Sequence, residues 1–374
     1  MAGKLGFGCM RLPLLREDDF AAVDTAQVER MVDLFLERGF TYFDTAYMYH
    51  DFKSETVMRE VLVRRHDRAS FTLASKLPTM FLKKEGDQER IFAEQLEKCG
   101  VDYFDYYLLH NLNVSHYENV RRFDSFAFAR RLKAEGRIRR LGFSFHDRAD
   151  LLDEILTAHP ETEFVQLQIN YLDWDNESIQ SRKCYEMARR HGKPVVVMEP
   201  VKGGTLARLP EEAERLLHEV RPDLSPAAWA IRFAASLEGV MMVLSGMSSL
   251  EQLRENTGFM QHFEPLDERE RKAIADVVEI VHRSIAIPCT ACRYCVDGCP
   301  ERIAIPDYFA LHNAEKQALN RGFSIQSVYY ENLARTHGKA SQCIACRQCE
   351  RSCPQHLPIV DYLRQVAATF EKER

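Results

Sequence analysis

The sequence predicts an α/β protein in which eight parallel strands close into a barrel and a small cysteine-rich segment follows. Short apolar runs alternate with amphipathic helical patterns along the first two thirds of the chain, and such alternation is typical of a parallel sheet. Strand–helix units that extend over about 260 residues match the usual size of a (β/α)8 TIM barrel. No Gly-x-Gly-x-x-Gly sequence follows the first strand, which counts against the competing doubly wound open sheet.

The individual elements follow from the same patterns. Strands are predicted at residues 4–10, 40–43, 71–75, 103–109, 139–143, 164–168, 194–198 and 240–244. Among the helices, one long helix is predicted at 118–134, one at 178–190, and others begin at the capping residues Ser54 and Ser225. The predicted division is a barrel at 1–265, a connecting helix at 266–283 and a mainly α-helical domain at 284–374.

Composition excludes several classes of protein. The length of 374 residues fits one large and one small domain. A formal net charge of −6 argues against a general nucleic-acid binder, since such proteins are usually basic. No apolar run approaches the roughly 18 residues that a membrane span needs, and the N-terminus lacks a signal-peptide pattern. We therefore expect a cytoplasmic protein that binds neither nucleic acid nor membrane.

Eight of the eleven cysteines fall in two clusters after residue 288. Both clusters have the form Cys-x2-Cys-x2-Cys-x3-Cys-Pro, one beginning at Cys289 and the other at Cys343. A disulfide scaffold is not expected in a long chain without a secretory signal, so the clustering indicates metal. Structural zinc usually uses paired Cys-x-x-Cys motifs, whereas four-cysteine runs that end in Cys-Pro are typical of 4Fe–4S clusters.

Residues 284–360 resemble the dicluster ferredoxins, and the helical insert between the two motifs is similar to their α-helical variety. The resemblance implies two 4Fe–4S clusters in which the last cysteine of each motif ligates the other cluster. On this basis cluster 1 is bound by Cys289, Cys292, Cys295 and Cys353, and cluster 2 by Cys343, Cys346, Cys349 and Cys299.

Four polar residues lie at or just beyond the ends of consecutive predicted strands, where a barrel holds its active site. These four, here called the tetrad, are Asp44, Tyr49, Lys76 and His110. Each alone has a structural explanation, but together they predict carbonyl chemistry. A buried lysine that Asp44 keeps charged is expected to lower the pKa of Tyr49. Tyr49 would then protonate an oxygen that His110 orients while a hydride reaches carbon.

At these positions the chain resembles the aldo-keto reductases, across roughly residues 4–260. The motifs that carry the resemblance are Leu5-Gly6-Phe7-Gly8, Phe43-Asp44-Thr45-Ala46-x-x-Tyr49, Ser75-Lys76, Leu109-His110, Leu141-Gly142-Phe143-Ser144 and Gly246-Met247-Ser248-Ser249-x-x-Gln252-x-x-Glu255-Asn256. The resemblance implies that the tetrad is catalytic and that the barrel binds NAD(H) or NADP(H). The fused tail makes the chain similar to the iron–sulfur branch of that family.

The same resemblance implies a set of cofactor contacts at the ends of the later strands. They are Ser144 and Gln166 for the carboxamide, Glu199, Lys202 and Gly203 beside the pyrophosphate, and Ser245, Gly246, Ser248, Gln252 and Asn256 around the adenosine. Gln252 stands where many members carry an arginine for the 2′-phosphate, so NAD and NADP both stay open. Glu199 would repel the pyrophosphate unless Lys202 or another cation pairs with it.

The expected function is reduction of a small carbonyl compound, or oxidation of an alcohol, with a nicotinamide cofactor. The clusters would serve structure or electron transfer. The alternative is a cluster-driven one-electron reductase or electron-transfer subunit, which could hold a flavin, with a barrel that binds a substrate or partner. The basic stretch 121–140 is one candidate docking site for a redox partner, although a solvated helix face is the simpler explanation.

Overall fold

The computed structural model describes residues 3–16, 18–176, 179–283, 286–287, 289, 291, 293–296, 298–317, 324–353 and 356–371. Its strands are β1 (Leu5–Gly8), β2 (Tyr42–Asp44), β3 (Thr72–Leu77), β4 (Phe104–Leu112), β5 (Ile138–Phe145), β6 (Phe164–Gln168), β7 (Val195–Met198) and β8 (Val240–Ser245). Each strand pairs in parallel with its neighbours in sequence, and β1 also pairs with β8, so the sheet is a closed barrel. The predicted barrel and the order of its strands are confirmed.

Helices surround the barrel and also form the region after it. They are α1 (Thr25–Glu37), α2 (Ser54–Met58), α3 (Asp87–Cys99), α4 (Val114–Arg122), α5 (Ser125–Ala134), α6 (Ala149–Ala158), α7 (Ser181–Arg190), α8 (Glu211–Val220), α9 (Pro226–Ser236), α10 (Leu250–Gln261), α11 (Glu268–Arg283), α12 (Ile305–Gln317), α13 (Ile325–Leu333), α14 (Gln348–Ser352) and α15 (Ile359–Phe370). Among the described residues, no helix has the length and apolar character needed to cross a membrane.

Alternation along the strands decides which side chains face the barrel axis. Tyr42, Ala74, Leu108 and Phe164 belong to the small apolar cluster inside the barrel. Successive strand residues point to opposite faces, so the residue two positions further along each strand also faces inward. Gly142 fits this interior because a Cβ atom there would lie 2.5 Å from the ring of Phe164. Because these residues face inward, the polar side chains at the strand ends meet at one end of the barrel interior.

Three local predictions differ from the structure. The helix predicted at 118–134 is two helices, α4 and α5, because the chain turns at Asp124, whose φ is 48°. Ser54 does not cap α2; it is the first residue of the helix, and its buried hydroxyl group lies 2.8 Å from Thr45 Oγ1. The helix predicted from 178 begins at Ser181, and the predicted start at Ser178 lies outside the described residues.

The region after the barrel, here called the cysteine-rich domain, is built on α12 to α15 and has its own apolar core. Tyr330 stacks on Phe370 with ring centroids 4.9 Å apart, and its ring lies 4.6 Å from that of Tyr308. The two cysteine motifs pack closely, because a Cβ atom on Gly298 would lie 2.7 Å from the side chain of Gln348. The predicted mainly helical character is confirmed.

Candidate active site and cluster cavity

Asp44 and Lys76 meet at the ends of β2 and β3, as the inward alternation requires. Lys76 Nζ lies 2.5 Å from Asp44 Oδ1 and donates to the carbonyl oxygen of Thr45 at 2.7 Å. The two side chains are 1% and 3% exposed. A buried ammonium without a partner is costly, and burial alone lowers the pKa of Lys76, but the Asp44 carboxylate raises it above its ordinary value. Lys76 is therefore charged at neutral pH.

Tyr49 approaches this ion pair from the loop after β2. Its hydroxyl group lies 3.3 Å from Lys76 Nζ. The loop then turns through His50 and Asp51, whose φ angles of 51° and 49° are left-handed and end any regular helix. Burial raises the pKa of Tyr49, and the charge of Lys76 offsets only part of that rise. The expected lowering of this pKa is therefore wrong, because the cost of burying a phenolate exceeds the attraction of the ammonium.

His110 completes the tetrad at the inner face of β4. Its ring meets that of Tyr49 edge to face, with centroids 5.9 Å apart. Burial, followed by the charge of Lys76, lowers the pKa of His110 well below its ordinary value, so the imidazole is neutral. Its Nδ1 atom is buried and has no hydrogen-bond partner among the described residues. The structure thus brings all four tetrad residues together.

Ser144 and Gln166 lie side by side in the register of β5 and β6. Gln166 Nε2 lies 3.3 Å from Asp44 Oδ2, so this amide contacts the tetrad directly. Ser144 Oγ accepts a hydrogen bond from the backbone N–H of Asn111 at 2.8 Å. Both side chains are buried at the strand ends. The two residues predicted to hold the carboxamide therefore lie next to the tetrad.

Glu199 lies at the end of β7, and its ion-pair partner is not Lys202. Arg11 Nη2 lies 3.0 Å from Glu199 Oε1, while Lys202 Nζ lies 2.5 Å from Asp173 Oδ1 in a buried pair. Asn170 Nδ2 donates to the other oxygen of Asp173 at 2.9 Å. The cation that neutralises Glu199 is thus Arg11, one of the two options left open by the sequence. Gly203 follows Lys202 in a turn with φ of 64°.

The residues predicted around the adenosine surround the end of β8 and the start of α10. Asn256 Nδ2 donates to Ser245 Oγ at 3.1 Å inside the protein. Gly246 is exposed, and a Cβ atom there would lie 3.1 Å from the side chain of Arg11. The backbone N–H of Ser248 donates to Gln252 Oε1 at 2.8 Å. These contacts place Arg11 between the ends of β7 and β8.

A buried polar network behind β3 was missed by the sequence analysis. Glu55 Oε1 accepts from Ser75 Oγ at 2.6 Å and from Gln95 Nε2 at 2.7 Å. Gln95 Nε2 also lies 3.0 Å from the carbonyl oxygen of Lys76, and Tyr107 OH donates to Gln95 Oε1 at 2.6 Å. Burial raises the pKa of Glu55 to about 7. No motif marks these residues, because they come from α2, α3, β3 and β4.

Four cysteines from both motifs line one cavity in the cysteine-rich domain. They are Cys299, Cys343, Cys346 and Cys349, the set predicted for cluster 2. The cavity contains about 310 Å³ of space, including open solvent, and its wall is completed by apolar residues such as Ile303, Ile305 and Leu363. Within the described part of the chain, no three His, Cys, Asp or Glu side chains are placed around a single metal ion.

The ligands predicted for cluster 1 are partly described. Cys295 and Cys353 are buried and belong to the core of the cysteine-rich domain, and Cys289 packs against that core. Cys292 lies outside the described residues. Three of the predicted ligands therefore lie in or against the same apolar core as Cys299, Cys343 and Cys349 of the second set.

The basic stretch 121–140 is largely neutralised on the outside of the barrel. Six of its eight basic side chains pair with acidic residues, in the contacts Arg121–Glu154, Arg130–Glu161, Arg131–Glu89, Lys133–Glu163, Arg139–Asp105 and Arg140–Glu163. This arrangement favours the solvated helix face over a docking patch for an acidic partner.

Comparison with known proteins assigns both parts of the chain. The family model described as "Aldo/keto reductase family" matches residues 4–279, and the one described as "4Fe-4S dicluster domain" matches residues 288–358. The "Uncharacterized oxidoreductase YqkF" of Bacillus subtilis (strain 168) is 26% identical over 286 residues, covering 68% of this chain and 85% of that protein.

Solved structures show the same fold. The holo form of aldo-keto reductase AKR11C1 from Bacillus halodurans has a TM-score of 0.58 and 26% identity, covering 73% of this chain and 91% of that one. An aldo-keto reductase from Klebsiella pneumoniae in complex with NADPH has a TM-score of 0.57 and 19% identity, covering 74% and 91%. The chain therefore belongs to the aldo/keto reductase family of oxidoreductases and carries a 4Fe–4S dicluster domain after its barrel.

Proposed function

We propose that this protein reduces a small carbonyl compound, or oxidises the corresponding alcohol, with NAD(H) or NADP(H) bound at the C-terminal end of the barrel. One observation carries the proposal: Lys76 Nζ lies 2.5 Å from Asp44 Oδ1 and 3.3 Å from Tyr49 OH, beside the ring of His110. Family membership supports it, and so does the NADPH named with the Klebsiella pneumoniae structure.

The four side chains divide the proton chemistry among them. When bound, the reduced nicotinamide supplies a hydride to the carbonyl carbon. Tyr49 holds the proton that passes to the carbonyl oxygen, and its raised pKa keeps that proton in place at neutral pH. Lys76 stabilises the phenolate that remains, while Asp44 keeps Lys76 charged. His110, as a neutral imidazole, donates a hydrogen bond to the same oxygen.

The residues at the later strand ends fit a dinucleotide. Ser144 and Gln166 would hold the carboxamide beside the tetrad, since Gln166 already contacts Asp44. Arg11 neutralises Glu199 along the edge where Glu199, Lys202 and Gly203 would face the pyrophosphate. The N-terminal amides of α10 provide a site that favours phosphate groups. Ser245, Gly246, Ser248, Gln252 and Asn256 would surround the adenosine.

We propose two 4Fe–4S clusters for the cysteine-rich domain, with the crossed ligand sets that the ferredoxin resemblance implies, in which the last cysteine of each motif ligates the other cluster. The cavity lined by Cys299 together with Cys343, Cys346 and Cys349 fits cluster 2, because thiolates from both motifs meet there. Cys289, Cys292, Cys295 and Cys353 would hold cluster 1. The proposal assigns hydride chemistry to residues 1–265, the connection to 266–283 and the clusters to 284–374.

A second candidate function is electron exchange between the clusters and a partner protein. The exposure of Cys346 favours it, because a cluster near the surface exchanges electrons with partners most readily. Nicotinamide delivers two electrons together as a hydride, whereas each cluster accepts one. Direct exchange between them would require a flavin or a substrate that stabilises a radical.

An anaerobic titration of the purified protein with NADH and with NADPH tests the proposal. Oxidation of the nicotinamide and bleaching of the cluster absorbance should be followed together, with and without candidate carbonyl compounds. The proposal predicts nicotinamide oxidation that depends on the carbonyl compound, without cluster bleaching. Bleaching by nicotinamide alone would instead favour the electron-exchange function.

A further inference from the structure

Helix α13 of the cysteine-rich domain packs against the barrel at the ends of β4 and β5. The ring of Tyr329 meets that of His146 edge to face, with centroids 6.3 Å apart. Asn332 Nδ2 forms a long hydrogen bond of 3.5 Å to the carbonyl oxygen of His146. Tyr329 is 5% exposed and Asn332 9% exposed, so the contact between the two domains is buried.

His146 adjoins the tetrad. It follows β5 two positions after Ser144, and its backbone N–H donates to the carbonyl oxygen of Leu112 at the end of β4, at 2.9 Å. Its Nδ1 atom is buried and has no hydrogen-bond partner in the part of the chain that the structure describes. Burial lowers the pKa of His146 to about 3, so its imidazole is neutral at neutral pH, like that of His110.

The end of β4 and the loop after it contact the end of β5 as well. The backbone N–H of Asn111 donates to Ser144 Oγ at 2.8 Å, and His116 Nδ1 lies 2.7 Å from the carbonyl oxygen of Asn111. Asn113 caps α4 by accepting from the backbone N–H groups of Ser115 and His116. One continuous set of contacts thus joins α13 to both loops that border His110.

We propose that α13 forms one wall of the substrate site, with Tyr329 and Asn332 as positioning residues that hold His146 and the adjoining loops. This inference rests on the proposed function and deepens it. The cysteine-rich domain then shapes the pocket for the carbonyl compound without passing an electron to it. Substrate affinity depends on this wall, whereas binding of the pyrophosphate and adenosine at the ends of β7 and β8 does not.

Variants of two adjacent tyrosines test this inference in the holoprotein. Tyr329→Leu should raise the KM for the carbonyl compound about tenfold, as expected for loss of an aromatic contact that orders a pocket. The nicotinamide Kd, iron content and kcat should change less than about twofold. Tyr329→Phe keeps the ring and should restore the wild-type KM.

Tyr330→Phe is the matched control. The Tyr330 hydroxyl group bonds to Glu371 and to the backbone N–H of Ala340 within the cysteine-rich domain, and its ring packs against those of Tyr308 and Phe370 there. Loss of the Tyr330 hydroxyl group should leave the KM for the carbonyl compound unchanged. An unchanged KM in Tyr329→Leu, or equal losses in the carbonyl KM and the nicotinamide Kd, would overturn the inference.

Hydrogen exchange gives a readout that needs no turnover. Tyr329→Leu should speed amide exchange severalfold in residues 110–116 and 145–148, whereas Tyr329→Phe and Tyr330→Phe should not. Wild-type protein that oxidises nicotinamide with no carbonyl compound would reject the proposed function. In that case the amide exchange of Tyr329→Leu would by itself test whether α13 holds the two loops. Unaltered exchange would show that it does not.

Discussion

Arg11 pairs with Glu199 across the top of the barrel, at 3.0 Å between Nη2 and Oε1, and so joins the loop after β1 to the end of β7. The pair is partly exposed, with side chains 29% and 23% accessible. It lies at the edge proposed for the pyrophosphate, where an unpaired carboxylate would repel the ligand. The compatibility of Glu199 with an anionic cofactor thus depends on Arg11.

Arg11→Ala should therefore weaken nicotinamide binding about tenfold, or roughly 1.4 kcal/mol. The loss should be equal for NADH and NADPH, because both carry the pyrophosphate. Adding Glu199→Gln to Arg11→Ala should restore part of the affinity by removing the unpaired charge. Fluorescence titration measures the Kd, with Arg16→Ala as a control because Arg16 pairs locally with Asp19. Unaltered binding by Arg11→Ala would contradict the assignment.

Lys76→Met should destabilise the barrel because it leaves the Asp44 carboxylate buried without a countercharge. Breaking a buried ion pair typically costs about 3–5 kcal/mol. The double variant Asp44→Asn/Lys76→Met should regain most of the stability but no turnover. Thermal unfolding followed by circular dichroism measures this, and Lys98→Met provides a control in which a partly exposed pair is lost. Equal stability of both single lysine variants would refute the prediction.

Glu55 should make the stability of the barrel depend on pH. Burial raises the pKa of Glu55 from 4.5 to about 7, so the folded state binds this proton more tightly than the unfolded chain. The stability from this group is complete below about pH 4.5 and is lost as pH rises to about 7, by on the order of 3 kcal/mol.

Glu55→Gln removes the titrating group and should therefore gain stability over the wild type as pH increases through that window. Unfolding midpoints measured at pH 5 and pH 8 make the comparison. Glu60→Gln is the control, because the Glu60 side chain is 40% exposed and paired with arginine. Parallel pH curves for Glu55→Gln and the wild type would show that Glu55 does not titrate there.

Cysteine substitutions distinguish two arrangements of ligands. Either the last cysteine of each motif ligates the other cluster, or each motif ligates its own cluster. Two 4Fe–4S clusters predict about eight iron atoms per chain, and loss of one cluster leaves about four. Cys299→Ala and Cys346→Ala should leave the same residual cluster, with the same electron paramagnetic resonance spectrum after reduction. Cys353→Ala should leave the other cluster. Cys184→Ala, which changes a buried barrel cysteine, should retain all the iron.

The opposite pairing would contradict this assignment. If Cys299→Ala gave the residual spectrum of Cys353→Ala, the two cysteines would serve one cluster. If Cys299→Ala matched Cys289→Ala instead, each motif would ligate its own cluster. Either result would contradict the ligand sets proposed for the two clusters.

The sequence was sufficient for the barrel and the convergence of the tetrad, because both depend on local periodicity. Asp44, Lys76 and His110 each stand two positions beyond an inward-facing strand residue, and a closed barrel brings such positions together. Like His110, His146 is a histidine that follows an apolar strand closely in the sequence. The same pattern could therefore have identified His146 as a candidate site residue.

Other features depend on tertiary contacts that no local pattern encodes. The choice of Arg11 over Lys202 as the partner of Glu199 depends on where three loops meet. The raised pKa of Tyr49 depends on the depth of burial, which the sequence does not reveal. Asn332 and His146 are 186 positions apart, so the contact of α13 with the barrel was also beyond local reasoning.

Single-turnover oxidation of bound NADH or NADPH by a carbonyl compound, compared between the wild type and Tyr49→Phe, tests the central claim most directly. Loss of the proton donor should slow the reaction about a thousandfold, within the usual range for general acid catalysis. The nicotinamide Kd and the cluster absorbance should stay the same, since the Tyr49 hydroxyl group serves neither. Undiminished turnover in Tyr49→Phe would contradict the assignment of Tyr49 as the proton donor.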